Sequence, residues 1–447
     1  MDNANVRLSL REKLSYGASD CAYNLIFNVV TMYMMFYYTD VVGISLASVG
    51  TLFLAVRVLD AVAGPVVGAL IDKTNTKWGK VRPWFLWFAG PFALIGVMTF
   101  TVPDFGGVAQ MVYVYITYIL MNFLAVSVTT PVTAILPNLT TNTQERVNTG
   151  AFRSIGGQVG VILSGALTLP LVNLLGRGDQ RLGFTLTMIV YGVVCAALLL
   201  MTFANTRERV ITPKEQEPPF LDSLKAMLRN RPWWILTLLN FVIFIGVVVK
   251  SSSIVYFFKY NLGSEMMSSL ANTVNSAGMI VGMLLVPLLA RRLKNRNIAI
   301  LFFAIGIGGA LLLFVGEQLG SVPFILFAIA VTAFSQAGQS TVFVMLADVV
   351  DYGEWKTGVR SQGLITACAA IGTTCGAGIA GWLGTFILDV NGFVANQEQT
   401  ASALGAISFN FVWLPAICSA IAIVLMLMYK VDYRIDSIRE ELAARKH

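Results

Sequence analysis

The sequence predicts an all-α integral membrane protein with twelve transmembrane helices in two six-helix bundles. Three observations predict it. The first is composition: the 447 residues are 56% hydrophobic and 12% charged, with a mean hydropathy of +0.72, whereas soluble domains carry about 25% charged residues. The second is span length. A helix needs about 20 apolar residues to cross hydrocarbon, and such windows recur at 16–42, 46–71, 84–103, 109–136, 152–175, 183–203, 233–260, 268–290, 298–316, 322–350, 363–388 and 402–429. Barrel strands would be about ten residues long and alternating, and no stretch alternates that way. The third is the placement of charge, which falls in every second loop.

Each element has its own justification. The opening MDNANVRLSLREK is polar and has no apolar stretch ending in a small-residue cleavage site, so no signal peptide is expected and targeting falls to the first span. Span 1 carries Asp20, Asn24 and Asn28, an i, i+4, i+8 stripe that faces a cavity or a partner helix. Span 2 carries Arg57 and Asp60, three apart and able to pair within the helix. A charge at a helix centre costs about 2.5–3.5 kcal/mol on insertion scales, so each one invites a functional explanation. In the following GALIDKTNTKWGKVRP, Gly68 is expected to let two helices approach, and Lys73, Lys77, Lys80 and Arg82 surround one acid, Asp72. Span 4 supplies Thr129 and Thr133, span 5 opens on Arg153, span 7 holds Lys250 about seventeen residues in, span 10 offers Gln336 and Gln339, and span 11 carries Thr374.

Orientation follows from Lys and Arg. With the N-terminus in the cytoplasm, the inner loops hold the 73–82 cluster, Arg146, the 207–231 cluster, the cations at 291–296, and Lys356 with Arg360; the outer loops hold Arg177 and Arg181, with Lys259 near a helix end. Both termini are then cytoplasmic. The polar stretch 205–232, with Pro213, Pro218 and Pro219 and a short amphipathic FLDSLKAMLRNR, divides the spans six and six. The expected organisation is an N-terminal bundle at 1–204, a cytoplasmic linker at 205–232, a C-terminal bundle at 233–430 and a tail at 431–447. The inner-end charges Asp72, Lys80, Arg82, Glu145, Arg146, Asp348, Asp351, Glu354 and Arg360 suit either a gate or a set of solvated anchors. Exposed pairs contribute only about 0–1 kcal/mol each, weak enough to break and re-form.

Several chemistries are excluded. The single histidine is His447, so His-based triads, multi-His metal sites and histidine proton relays are out, and proton chemistry falls to carboxylates. The five cysteines lie in apolar stretches with no C-x-x-C and read as inert buried thiols. The net charge of +7 sits in clusters between apolar runs, so no nucleic-acid partner is expected.

The loop beginning at Gly68 resembles the loop 2–3 motif of the major facilitator superfamily. LADVVDYGEWKTGVRSQG at 346–363, with LSYG…MYMMFYYTDVVG at 14–43 and TLFLAVRVLDAV, resembles the glycoside–pentoside–hexuronide:cation symporter family, and the likeness runs through YKVD after span 12. It implies the superfamily's fold, a bacterial cytoplasmic (inner) membrane, a sugar or glycoside substrate and a coupling cation, with no other cofactor. It also implies a cation-binding acid at Asp60 and a second four residues on, where this chain has Gly64; Ala63 replaces a polar ligand, and Val126 stands where melibiose-type carriers have a Thr. Sugar contacts are implied at Asn24 (an Asp in those carriers), Arg153, Thr129 and Thr133 (an acid and an aromatic), Gln339 (a Trp) and Thr374 (a Lys). Asp20 and Gln336 join them as candidates from their own spans.

These departures point to an ion and to a charge. Na⁺ wants several oxygens in place of its water shell, whereas a proton needs one carboxyl whose pKa is raised by burial. H⁺ carried by Asp60 is therefore expected in preference to Na⁺, and uncoupled transport follows if Arg57 keeps Asp60 ionised. Lys250 lies too deep for easy snorkelling, and a cation there marks some relatives that handle charged sugars. With Asn24 and Thr129 replacing two acids, the cavity shifts toward positive and leans to a hexuronide or sulfosugar, unless Lys250 pairs with a carboxylate such as Asp20. The expected protein is a monomeric sugar importer working by alternating access. Its rivals are a neutral glycoside or pentoside symporter, a lipid carrier of the same fold, a sugar receptor without a signalling domain, and a membrane-embedded enzyme, for which the spans offer no paired acid and base.

Overall fold

The computed structural model describes residues 7–140, 142–209, 225, 227–358 and 362–445. Its regular elements among these residues are helical, with one isolated bridge between Thr76 and Gly79. The chain divides into two compact units. The first holds the described residues up to Arg209 with Glu265–Asn272 and Ala395–Gln397, and the second holds the rest. The expected linker at 205–232 lies mostly outside the described residues.

The first unit contains α1 (Leu10–Phe36), α2 (Leu46–Lys73), α3 (Arg82–Thr99), α4 (Gly107–Leu139), α5 (Thr143–Gly176) and α6 (Gln180–Asn205). Caps explain where several begin. Ser9 and Glu12 form a capping box, starting α1 well before the expected span; Ser45, Asn142 and Asp179 each accept a backbone N–H at the start of α2, α5 and α6, satisfying donors the first turn leaves unpaired.

The second unit contains α7 (Arg231–Tyr256), α8 (Met267–Leu289), α9 (Asn295–Leu319), α10 (Val322–Gln336), α11 (Gly338–Thr357), α12 (Gln362–Val390), α13 (Ala401–Ser408), α14 (Leu414–Met428) and α15 (Ile435–Arg445). The opening turn of α8 counts with the first unit. The expected tenth span is two helices meeting at Ala337, and the second runs on to Thr357. Much of the stretch the sequence presents as a charged loop is therefore helix. It ends where Gly358 adopts φ +74° and donates to the Glu354 carbonyl, a left-handed cap that glycine adopts without strain. The last span is interrupted by a π-turn at Phe409–Trp413, just before Pro415, which has no N–H to give the ladder. Among the described residues nine helical stretches are long and apolar enough to cross a membrane. Exposed apolar side chains such as Val193 and Leu284, at 66% and 69%, suit contact with lipid.

Lipid gives helices no hydrophobic reason to associate, so close backbone packing takes over. Gly156 and Gly160 of α5 lie against α1, where an added Cβ would come within 2.0 Å of the Gly17 carbonyl and 2.6 Å of the Cys21 carbonyl. Gly372 and Gly376 of α12 repeat the arrangement against α7, each 2.4 Å from a carbonyl, of Thr237 and Phe241. Each pair spells G-x-x-x-G. A second correspondence joins the units: α1 runs into a π-turn at Tyr37–Val41 and α7 into one at Phe257–Asn261. The Ile44 N–H then reaches the Tyr38 carbonyl and the Ser264 N–H the Phe258 carbonyl, both at 2.8 Å. At Gly68 an added Cβ would meet nothing within 4 Å among the described residues, so the close approach expected from its sequence context is not seen there.

Candidate functional site

In the first unit the polar stripe of α1 meets α5 and α4. The Arg153 Nε is 3.2 Å from Asp20 Oδ1, and its Nη1 donates to Thr133 Oγ1 at 3.3 Å. Asn24 Nδ2 donates to the Asp20 carbonyl at 2.8 Å and reaches its Oδ2 at 3.5 Å. Asn28, one turn further, donates to Ser164 Oγ at 2.6 Å. The stripe thus meets a partner helix, and the pair keeps side-chain exposures of 30% for Arg153 and 17% for Asp20. A guanidinium has five N–H donors; Asp20, Thr133 and the Tyr16 hydroxyl engage three of them, leaving two for a ligand's hydroxyls. Gly157 makes the arrangement possible: a Cβ there would stand 2.4 Å from Asp20 Oδ2. Thr129 turns back to the carbonyls of Ala125 and Val126 at 3.2 and 3.4 Å.

In the second unit Lys250 of α7 is buried, at 7% exposure. Its ammonium donates to Thr332 Oγ1 at 2.5 Å and lies 5.9 Å from the Phe411 ring centroid. No carboxylate pairs with it among the described residues; Asp20, the alternative the sequence leaves open, pairs with Arg153. Lys250 lines a cavity of about 60 Å³ together with Ser335, Gln336, Gln339 and Ser419. The Gln339 Nε2 is buried without a hydrogen-bond partner among the described residues, and the lining holds an ammonium and two amides but no acid. The cavity has room for a few waters or a small anionic group. Thr374 is half-buried on α12 and is not part of its lining.

The side chains of Arg57, Asp60, Asp72 and Arg146, and Arg360 as a whole, lie outside the described residues. Among the other candidate gate charges, Glu145 is held by Lys13 at 2.8 Å and by the Leu8 N–H at 3.1 Å. The hydrogen bond from Lys13 draws its carboxyl below the usual range. Lys80 and Arg82 give their backbone N–H groups to Glu208, at 3.2 and 2.8 Å, and the Val81 N–H joins them at 2.8 Å. Gly79, at φ +111°, leaves room for that carboxylate, 2.4 Å from where a Cβ would be. Arg82 spends its own Nε on the Phe203 carbonyl at 2.7 Å. Asp348 is buried, and Asp351 and Glu354 are half-buried.

Sequence reasoning passed over Glu208, Lys13 and the Glu12–Arg209 pair at 2.7 Å, because their partners lie far away in the chain and no local spacing announces them. It also passed over Glu317 in α9, which accepts from Asn261 Nδ2 at 3.0 Å and from the Ser408 hydroxyl. An acid at the end of an apolar run was the available signal.

The family profile described as "MFS/sugar transport protein" matches residues 15–433. The chain belongs to that family. It is therefore a multi-pass membrane transporter rather than an enzyme, and its resemblance to the glycoside–pentoside–hexuronide group stands. It is 40% identical over 425 residues to the isoprimeverose transporter of Lactiplantibacillus pentosus, covering 94% of this chain and 88% of that one. It is 32% identical to the inner membrane symporter YicJ of Escherichia coli strain K12, covering 98% and 96%. Among solved structures, a D-xylose-proton symporter superposes with a TM-score of 0.70 at 14% identity, covering 93% of this chain and 96% of that one, which shows the shared fold.

Proposed function

We propose that this transporter imports a sugar or glycoside by alternating access, together with a cation, H⁺ in preference to Na⁺. The half-open Arg153–Asp20 pair carries the sugar reading: a charged fork with spare donors, beside Asn24 and Thr133, suits the dense hydroxyls of a sugar. Thr129, Gln336, Gln339 and Thr374 complete the proposed contacts. Asp60 carries the proton, with Arg57 as its neighbour on α2, and the inner-end acids and cations named above act as the cytoplasmic gate. The protein works as a monomer in a bacterial inner membrane, both termini inside, with bundles bounded at 204 and 233.

The coupling is tested at Asp60. At about 2.3 kcal/mol per charge per 100 mV, one entering proton drives appreciable accumulation. Asp60→Asn in proteoliposomes should lose uphill accumulation and retain substrate exchange. Undiminished accumulation would take the residue out of the mechanism.

Lys250 carries the lean toward an anionic substrate, since a buried ammonium facing a donor-lined cavity is complemented by a carboxylate or sulfonate. Lys250→Ala should weaken binding of a glucuronide about tenfold or more, while a neutral glycoside changes less than about threefold, charge-assisted bonds contributing about twice what neutral ones do. Equal losses for both sugars would place Lys250 in the scaffold. A second reading, a neutral glycoside substrate, is favoured by the 40% identity to a relative named for isoprimeverose. A binding screen of purified protein against neutral and anionic sugars, with and without Na⁺ and across pH, separates the two. Competition by an amphiphile in place of free sugar would point to a lipid carrier.

A further inference from the structure

At the end of α14 the second unit has a groove of about 460 Å³ that the transport reading leaves unused. Its rim carries Arg231 at the start of α7, Lys430 just past α14 and Arg434 just before α15. All three are exposed, and none makes an ion pair among the described residues. Four of the acids on the surrounding elements have other partners, while Glu440 is exposed and the side chain of Asp436 lies outside the described residues. Asp432 takes the Arg296 backbone N–H at 3.0 Å, and Glu441 takes the Trp355 indole N–H at 2.6 Å, tying α15 to α11. Asp351 and Glu354 of α11 have partners of their own.

The rest of the lining is largely apolar, Ile235, Val431 and Ile438 among it. The groove opens onto an exposed greasy edge of α14: Leu427 and Met428, at 53% and 49%, lead back to Val424 at 57%. This helix lies in one of the stretches long and apolar enough to cross a membrane. A cationic rim therefore sits at the level where hydrocarbon gives way to headgroups, continuous with a surface suited to acyl chains.

We propose that this groove binds an anionic phospholipid. The phosphate sits among Arg231, Lys430 and Arg434, and an acyl chain runs along Leu427, Met428 and Val424. Charge complementarity selects the headgroup, and the exposed apolar edge favours a lipid over a soluble anion. Each basic residue near an anionic headgroup contributes about a fivefold gain in affinity, so neutralising all three should weaken binding about a hundredfold.

The probe is phosphatidylglycerol titrated into detergent-purified full-length protein and followed by native mass spectrometry, with phosphatidylcholine and inorganic phosphate as separate arms. The wild-type protein should retain phosphatidylglycerol in preference to phosphatidylcholine. Arg231→Gln/Lys430→Gln/Arg434→Gln should lose it, whereas Arg177→Gln/Arg291→Gln/Arg292→Gln, which removes the same charge elsewhere, should not. If the first triple variant fails to fold, the three single variants carry the test at about fivefold each. Unchanged retention by the groove variants would overturn the proposal. So would equal retention of phosphatidylcholine, which would mean that the tails alone bind, and so would displacement of the lipid by inorganic phosphate, which would mean a soluble-anion site.

Discussion

Arg153→Ala should abolish most uptake, lowering the initial rate roughly thirty- to hundredfold. The substitution strands Asp20, whose carboxylate has Arg153 Nε at 3.2 Å and only 17% side-chain exposure. Breaking a fully buried pair costs about 3–5 kcal/mol; the partial exposure here brings the expected cost to about 2–3 kcal/mol. Arg153→Lys should do better, keeping the charge and losing the planar fork that reaches Asp20 and Thr133 together. The double variant Arg153→Ala/Asp20→Asn separates two roles. It removes the stranded carboxylate, so thermal stability should recover, while sugar binding measured by calorimetry should stay lost. Recovery of binding along with stability would make the pair a scaffold tie and withdraw it from the proposed site.

Gly156→Val should be the most damaging single change to the fold. The first side-chain atom would fall 2.0 Å from the Gly17 carbonyl, and that obstacle is backbone, which cannot swing aside. Overpacking typically costs about 1–3 kcal/mol, and a rigid obstacle puts the cost at the upper end or beyond. The unfolding midpoint should fall by roughly 3 °C or more, with less protein recovered from the membrane. Gly376→Val should behave alike, since its Cβ would meet the Phe241 carbonyl at 2.4 Å. Gly68→Ala is the contrast: with nothing within 4 Å of the added atom, the midpoint should hold or rise, Ala being the better helix former. A loss from Gly68→Ala as large as that from Gly156→Val would show that the α1–α5 contact is not what the glycine at 156 serves.

These residues also show how far a linear reading reaches. The stripe Asp20–Asn24–Asn28 was legible because helical periodicity puts i, i+4 and i+8 on one face, and α1 does carry them into contact with α5. That Asp20 belongs to Arg153 was not legible, because 133 positions separate them and no local pattern links such partners. The same holds for Glu208, which closes the start of α3 from the far end of the unit. The paired G-x-x-x-G stretches were in plain sight as letters, but the four glycines that meet backbone and the one that meets open space look alike in the sequence.

The sequence by itself determined the solvent this chain folds in, the number and order of its spans, its family and the residue types available for chemistry. Those properties follow from composition, periodicity and short motifs, which are local quantities. Tertiary structure alone decided that Arg153 neutralises Asp20 and that, among the described residues, Lys250 has a hydroxyl and a ring beside it in place of an acid and Gly68 has no neighbour within reach of a Cβ. The physical reason is that pairing and packing are set by which helix faces meet, and in a membrane that choice rests on close-contact shape between distant segments, since every helix is equally greasy on its outside.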